Sequence, residues 1–433
     1  MLARLRSGAL HGATRFDLPA GTGYFPREIF ELADSLEILD ISNNGLSELP
    51  ADFARLTRLR VLFSSNNHFT CLPEVLGACP QLTLVGFKSN RIDSVPAASL
   101  PAALRWLILT DNRIAELPAS LAQCRGLRKL ALAGNRLMAV PEELQACREL
   151  ELLRISANEV SEIPPWLSRL PRLAWLAYAG NPITAARERA ALAQHGLEPV
   201  AWSDLLVGEQ LGAGASGVIS RAVRHDGRVP VAMALKLFKA GVTSDGYPQS
   251  ELAASVSAGR HAELITAEAT LSGHPQGAEG LILPLVGAGF RVLAEPPSLE
   301  SCTRDVYSAD VSFTAGSALR LARGVAAAMA HLHARGILHG DLYAHNLLHD
   351  GGGDCRLGDF GAATLYGRED PAAVALQRVD VRAFGCLLEE IGLRTVDAGV
   401  AERLAVVRER CCAEAVGDRP GFIDLLAELA LFA

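Results

Sequence analysis

No stretch of this 433-residue sequence reaches the ~18 uninterrupted apolar residues of a membrane-spanning helix, although 49% of it is apolar. A basic block is missing too. The formal charge is −7, so the electrostatic footprint of nucleic-acid binding is absent. Met1 to Leu10 carries Arg4 and Arg6 but lacks the apolar run of a secretory signal. Nine cysteines occur without the paired spacing of a small disulfide scaffold and read as reduced thiols. These absences make the cytoplasm the expected location. The length suggests two or three domains.

What is present first is a repeat. Leu36, Leu59, Leu82, Leu104, Leu127, Leu150 and Leu173 recur at steps of 23 residues, once 22. An Asn follows each eight residues later, from Asn44 to Asn181. In six units a Pro stands six further on, from Pro50 to Pro164. Alternating apolar pairs such as Leu107 with Leu109, or Leu130 with Leu132, point inward from a short strand. The Asn amide can satisfy the turn that follows, and Pro stiffens the return. One unit cannot stand alone: inward side chains at ~1.5–3 kcal/mol each must offset the ordering of some twenty residues. Cys79, Cys124 and Cys147 occupy one position of the repeat and read as packing thiols, not as a zinc site.

This pattern resembles the leucine-rich repeat solenoid of the short, Leu-Pro-containing type over about residues 35–183. Residues 1–34 are then an amino-terminal cap, including an irregular Phe16–Ala33. Residues 35–200 are repeats ending in a cap helix, Thr184 to His195, with Thr184 at its start. The outward strand residues include Phe63, Trp106, Ile108 and Trp175. They form an apolar, aromatic stripe that suits a protein ligand or this chain's own second half.

From Trp202 the period vanishes. Leu211–Ile219 reads as strand, Gly-rich turn, strand, with Gly212, Ala213, Gly214 and Gly217 in or beside the turn and Val218 alternating beyond it. A dinucleotide fold would need a helix there, so the glycines suit a loop lying over a triphosphate. Ala234-Leu235-Lys236 ends an apolar strand with a Lys that needs a charged partner. Glu251, Glu263 and Glu268 are the candidates. Gly280–Val286 reads as a further strand. Gly289 to Tyr307 has no functional reading. Thr314 to Arg335 reads as a long capped helix. It leads to His339-Gly340-Asp341-Leu342-Tyr343-Ala344-His345-Asn346 and then Asp359-Phe360-Gly361. An Asp, an Asn five residues on and a second Asp before Gly can hold a divalent cation and orient a nucleophile. The five His from His331 to His349 read as structural.

In order and spacing these residues closely resemble the glycine loop, phosphate Lys, catalytic loop and metal-binding loop of protein kinases. Asp380-Val381-Arg382 resembles the helix whose buried Asp braces that loop, and Asp418-Arg419-Pro420 the element of the last helices. The resemblance, to a leucine-rich repeat protein kinase of the bacterial type, implies an α/β solenoid followed by an α+β bilobal kinase-like fold over residues 201–433. It implies an ATP-dependent, Mg2+-dependent kinase, most readily Ser/Thr-directed. Asp341 would be the catalytic base, Lys236 the phosphate ligand, and Asn346 and Asp359 the metal ligands. Glu251 is favoured as the partner of Lys236 because His261-Ala262-Glu263-Leu264-Ile265 after its helix resembles a protein-kinase marker. The resemblance also implies that Gly280–Val286 leads to a hinge, with Leu283 and Leu285 beside the nucleotide base. Three departures stand out. Gly340 replaces an Arg that grips a phosphorylated activation loop. Only about eighteen residues separate Gly361 from Asp380, with no Ala-Pro-Glu element. Tyr343 replaces a Lys. A small-molecule phosphotransferase and a nucleotide-binding pseudokinase scaffold are the rival readings.

Overall fold

The structure is a computed structural model that describes every residue except His195, Ala215, Asp226, Arg228, Ala240 and Ala433. It divides into two compact units, Met1–Leu170 and Pro171–Ala433.

In the first unit a short helix α1 (Leu2–Arg6) precedes strand β1 (Arg15–Asp17). One strand per repeat follows: β2 (Ile38–Asp40), β3 (Val61–Phe63), β4 (Leu84–Gly86), β5 (Trp106–Ile108), β6 (Lys129–Ala131) and β7 (Leu152–Arg154). They pair in parallel, each with the next, in a register that sets Leu107 against Leu130 and Leu130 against Leu153. These central residues and the Leu at each repeat start are fully buried. The cap is more regular than expected: β1 extends the sheet, with Phe16 buried beneath it. Single 3₁₀ turns return the chain, and Pro73, Pro96, Pro118 and Pro141 sit at their amino-terminal caps, where a fixed φ and a missing N–H cost nothing.

The Asn ladder accounts for backbone groups that the short strands leave over. Asn135 Nδ2 donates to Leu109 O and Leu132 O at 2.9 Å each, while its Oδ1 accepts from Ile114 N at 3.0 Å. Asn158 repeats this toward Leu132, Ile155 and Leu137. The residue before each ladder Asn lies in the left-handed region, including Asn43, Asn66, Ser89, Asp111 and Ala157, a demand no composition signal revealed. Burial pushes the thiols of Cys79 and Cys147 up to about 11 and about 12. Both stay protonated packing groups.

The second unit begins with β8 (Trp175–Ala177) and α2 (Pro182–Gln194). Thr184 lies inside the first turn of α2, not at its cap, because Pro182 fits the first helical position and Asn181 O accepts from Thr184 N. The expected helix end at His195 falls outside the described residues. A mixed sheet follows, made of β9 (Pro199–Ala201), β10 (Leu205–Ala213), β11 (Gly217–Arg224), β12 (Val231–Phe238), β13 (Ala269–Ser272) and β14 (Gly280–Pro284), in the order β10-β11-β12-β14-β13-β9. Its core gathers Val200, Ala222, Met233, Leu235, Ala269 and Ile282. Helix α3 (Pro248–Ala258) stands between β12 and β13 in the chain. The carboxy-terminal part is helical: α4 (Ala315–Ala334), α5 (Ala373–Gly392), α6 (Ala398–Cys411) and α7 (Phe422–Ala430). Thr314 caps α4, accepting from Ser317 N at 3.2 Å, and Leu321, Val325, Met329 and Leu332 bury one face. Short strands β15 (Arg291–Val292), β16 (Ile337–Leu338), β17 (Leu347–His349), β18 (Cys355–Leu357) and β19 (Thr364–Leu365) present the loops between these helices. Asp380 does not open α5 as expected. The helix starts at Ala373, where Asp370 accepts from the Ala372 and Ala373 N–H groups.

Replacing Asn135 with Ala strands the buried Ile114 N–H and removes one of two amide donors from Leu109 O and Leu132 O, which keep Asn112 and Asn158. The expected loss is about 1–3 kcal/mol of repeat stability, read from the urea midpoint. A loss under about 1 kcal/mol would show that the ladder is not what holds the turns.

Candidate active site

Strand β12 carries Lys236 because its neighbours alternate correctly for a buried face. Lys236 lies opposite Ile219 on β11 and Leu281 on β14, and its side chain is 6% exposed. A cation so placed needs anions. Glu251 on α3 supplies one at 2.5 Å and Asp359 a second at 3.5 Å. Of the other candidate partners, Glu263 pairs with His261 and Glu268 with Arg260. Burial pulls the Lys236 amine down, but the charges of Asp359 and Glu251 outweigh it and raise it. Burial pushes Glu251 up to about 7 despite its Lys partner. Partial desolvation by its surroundings raises Asp359, yet Lys236 and the Gly361 N–H pull it below the usual carboxylate range.

The glycine turn is built as a hairpin, not a strand-to-helix turn. Ala213 pairs with Val218, and Gly214 N donates to Gly217 O at 2.9 Å. A Cβ on Gly212 or Gly214 would meet nothing within 4 Å, so this backbone faces open space. Gly217 differs: its Cβ would come within 2.4 Å of Leu237 O, so close strand approach requires glycine there. Ala215 lies outside the described residues. Ala234 is paired with Leu283 across β12 and β14. Leu285 lines a cavity of about 510 Å3 with Arg260, His261, Thr266, Val286 and Phe290. None of Lys236, Asp341, Asn346 or Asp359 lines that cavity.

The loop from His339 to Asn346 is held from its own ends. Asn346 Nδ2 donates to Asp341 O and Asp341 Oδ2, both at 2.9 Å. Asp380, wholly buried, accepts from His339 N at 2.9 Å and Gly340 N at 3.0 Å, and binds His333 Nε2 at 2.9 Å. His339 Nε2 reaches Gly358 O at 3.2 Å, tying the loop to the turn before Asp359. Asp359 has φ +51, a left-handed position that Asp tolerates better than most residues. His331, His333, His339 and His345 each contact a different protein oxygen.

Oxygen donors suit a hard divalent cation. Asn346 spends its N–H on Asp341, which leaves its Oδ1 for such an ion, and the Asp359 side chain is 42% exposed. The residues therefore fit Mg2+ and a triphosphate.

On the aromatic stripe Trp175 is 2% exposed because Leu342 and Tyr343, from the second half of the chain, cover it, one of the two occupants the sequence allows. Phe63, Trp106 and Ile108 remain half-buried, with Lys129 Nζ 4.2 Å from the Trp106 ring centre. Asp305, in the segment without a reading, is buried and grips His345 through its N–H at 2.9 Å and its ring at 2.8 Å. No spacing in the sequence pointed to it.

These features define a protein kinase domain. Residues 205–383 match the profile of the protein kinase domain, and residues 35–56 match the Leucine Rich Repeat. The chain carries leucine-rich repeats followed by a protein kinase domain. Serine/threonine-protein kinase mos of Xenopus laevis is 27% identical over 173 residues, 40% of this chain and 45% of that protein. Serine/threonine-protein kinase PITSLRE of Drosophila melanogaster is 30% identical over 156 residues, 36% of this chain and 15% of that protein. The leucine-rich repeat and calponin homology domain-containing protein 1 of Mus musculus is 27% identical over 106 residues, 24% of this chain and 15% of that protein. The chain thus spans less than half the length of these curated relatives. A solved leucine-rich repeat protein of Leptospira interrogans is 24% identical, with a TM-score of 0.37, covering 42% of this chain and 52% of that one.

The raised Glu251 makes the Lys236 pairing sensitive to pH. Below about 7 the carboxylate takes up a proton and Lys236 loses that partner; above it the pair is complete. The expected profile of kcat/KM for ATP has an acid limb near pH 7. Glu251→Gln should lower the plateau and remove that limb; a variant that keeps it would assign the limb to another group.

Proposed function

We propose that this chain transfers the γ-phosphoryl group of ATP to a hydroxyl of a protein substrate, Ser or Thr. The observation that carries this reading is the pair of carboxylates, Glu251 and Asp359, within 3.5 Å of the Lys236 amine; Asn346 donates to the Asp341 carboxylate in the loop that precedes Asp359. The profile match and the names of the two kinase relatives support the protein-kinase class and the Ser/Thr choice.

Lys236 would hold the phosphates as a buried cation positioned by Glu251. Gly212, Gly214 and Gly217 would cover them with backbone, while Ala213, Val218, Ala234, Leu283 and Leu285 flank the nucleotide. Asn346 and Asp359 would hold Mg2+, which when bound supplies positive charge to the phosphate oxygens. Asp341 would accept the proton as the substrate oxygen bonds to phosphorus and ADP leaves. The repeats, with Phe63, Trp106 and Ile108, would recognise a protein partner. Residues 1–34 would cap the solenoid, residues 35–200 form it with its closing helix, and residues 201–433 carry the chemistry, in the cytoplasm. Among the described residues no helix is long and apolar enough to cross a membrane.

A second reading draws on the short segment between Asp359 and α5, in which Thr364–Leu365 already pairs with Ile337–Leu338. So small a platform also suits a hydroxylated metabolite as acceptor.

Asp341→Ala should lower kcat about 10²–10⁴-fold while the thermal midpoint and nucleotide affinity hold. Lys236→Met should weaken ATP binding. Turnover of a generic protein acceptor and of small hydroxylated compounds, followed by ADP release, separates the two readings. Near-normal turnover by the Asp341 variant would remove Asp341 from the chemistry.

A further inference from the structure

Strand β8 belongs to the last repeat by sequence, yet its side chains and carbonyls meet the catalytic loop. The Trp175 ring stacks on Tyr343 with centroids 4.3 Å apart and planes 6° from parallel. Its indole N–H donates to Leu342 O at 3.1 Å. Leu342 and Tyr343 directly follow Asp341 in the chain. Tyr343 in turn packs against His345, centroids 5.0 Å apart, and His345 is held by buried Asp305. On the other side of Asp341, Leu176 O approaches Gly340 so closely that a Cβ there would lie 2.3 Å away. Gly340 also has φ +70, which excludes most side chains. The strand thus touches residues 340, 342 and 343, flanking Asp341 without contact to the reacting atoms.

We infer that Trp175 is a positioning residue for Asp341. Its stack and its single N–H bond set the peptide that follows Asp341, while the Leu176 carbonyl sets the peptide before it. A loop pinned on both sides keeps its carboxylate in the reacting orientation, and a misplacement of about 1 Å can cost about 10²-fold in rate. The last repeat is therefore a working part of the catalytic unit. The inference rests on Asp341 being the catalytic base, as proposed above.

The test uses the full chain with Trp175→Ala, Trp175→Phe, Tyr343→Ala and the double Ala variant. Trp175→Ala should lower kcat by roughly 10²-fold, with KM and Kd for ATP unchanged. Trp175→Phe, which keeps a stacked ring but no N–H, should recover part of the loss. The double variant should be little worse than Trp175→Ala alone, since both remove one contact. Unchanged kcat in Trp175→Ala would overturn the inference. So would a parallel loss of ATP affinity that Trp175→Phe does not recover, because it would mark a merely structural role. Amide hydrogen exchange at residues 340–346 gives a readout independent of turnover: it should speed up in Trp175→Ala, and an unchanged rate would overturn the inference. If the unmodified protein shows no turnover while exchange behaves as expected, the catalytic reading fails and the positioning contact stands.

Discussion

A carboxylate with no exposure to solvent is the constraint around which the kinase domain's central loop is arranged. Asp380 sits in the middle of α5, wholly buried, and an anion there is tolerable only if its lone pairs are filled. Three donors fill them: the N–H groups of His339 and Gly340 and the ring of His333. Two of these belong to the catalytic loop and one to α4, so a single buried charge joins two helices and the loop. Charge-assisted bonds of this kind are short and directional. They make the loop's start as well determined as the helices it leaves.

Much of this was legible beforehand. The repeat period appears in the chain as Leu and Asn at fixed steps, because each unit solves the same packing problem and writes the same residues. Two contacts were legible for a different reason: a buried Lys236 demands a carboxylate such as Glu251, and Gly217 leaves no room for a Cβ beside Leu237 O. What stayed hidden depends on three-dimensional neighbours. Asp305 holds His345 from forty residues away, and no local pattern marks an acid that acts at such a distance. The left-handed position before each ladder Asn is occupied by Asn, Ser, Asp and Ala as well as Gly, so composition conceals it.

The division between the two compact units shows the same limit. Repeat periodicity runs without a break through Leu173 and Asn181, and from sequence the solenoid should end near residue 200. Packing sorts the residues otherwise. Tyr178 N donates to Thr364 Oγ1, Ser250 Oγ to Glu188 on α2, and the buried Arg419 to the carbonyls of Pro171, Arg378 and Ala413. Burial lowers Arg419 to about 10, which still leaves it charged at neutral pH. Its fork can therefore satisfy three carbonyls at once, a task a Lys could not share out in the same way.

The same contacts give a physical account of Gly340, which departs most from the pattern. An Arg there would have to occupy the space that the Leu176 carbonyl fills, with a backbone angle it rarely adopts. Phosphate on the following segment would in any case find little use for it. Between Gly361 and Ala372 the only hydroxyls are those of Thr364 and Tyr366. Both are buried: Thr364 bonds Ala362 O and Tyr178 N, while Tyr366 bonds His333 O and Gln377. Burial holds the Tyr366 phenol up at about 12, so it remains a donor in that network. A phosphate dianion at either oxygen would break these bonds and bury charge among carbonyls. The segment is ordered by neutral hydrogen bonds and a two-residue ladder to β16. The backbone contact at Gly340 and the buried hydroxyls of Thr364 and Tyr366 thus leave this segment neither an Arg nor an open site for phosphate.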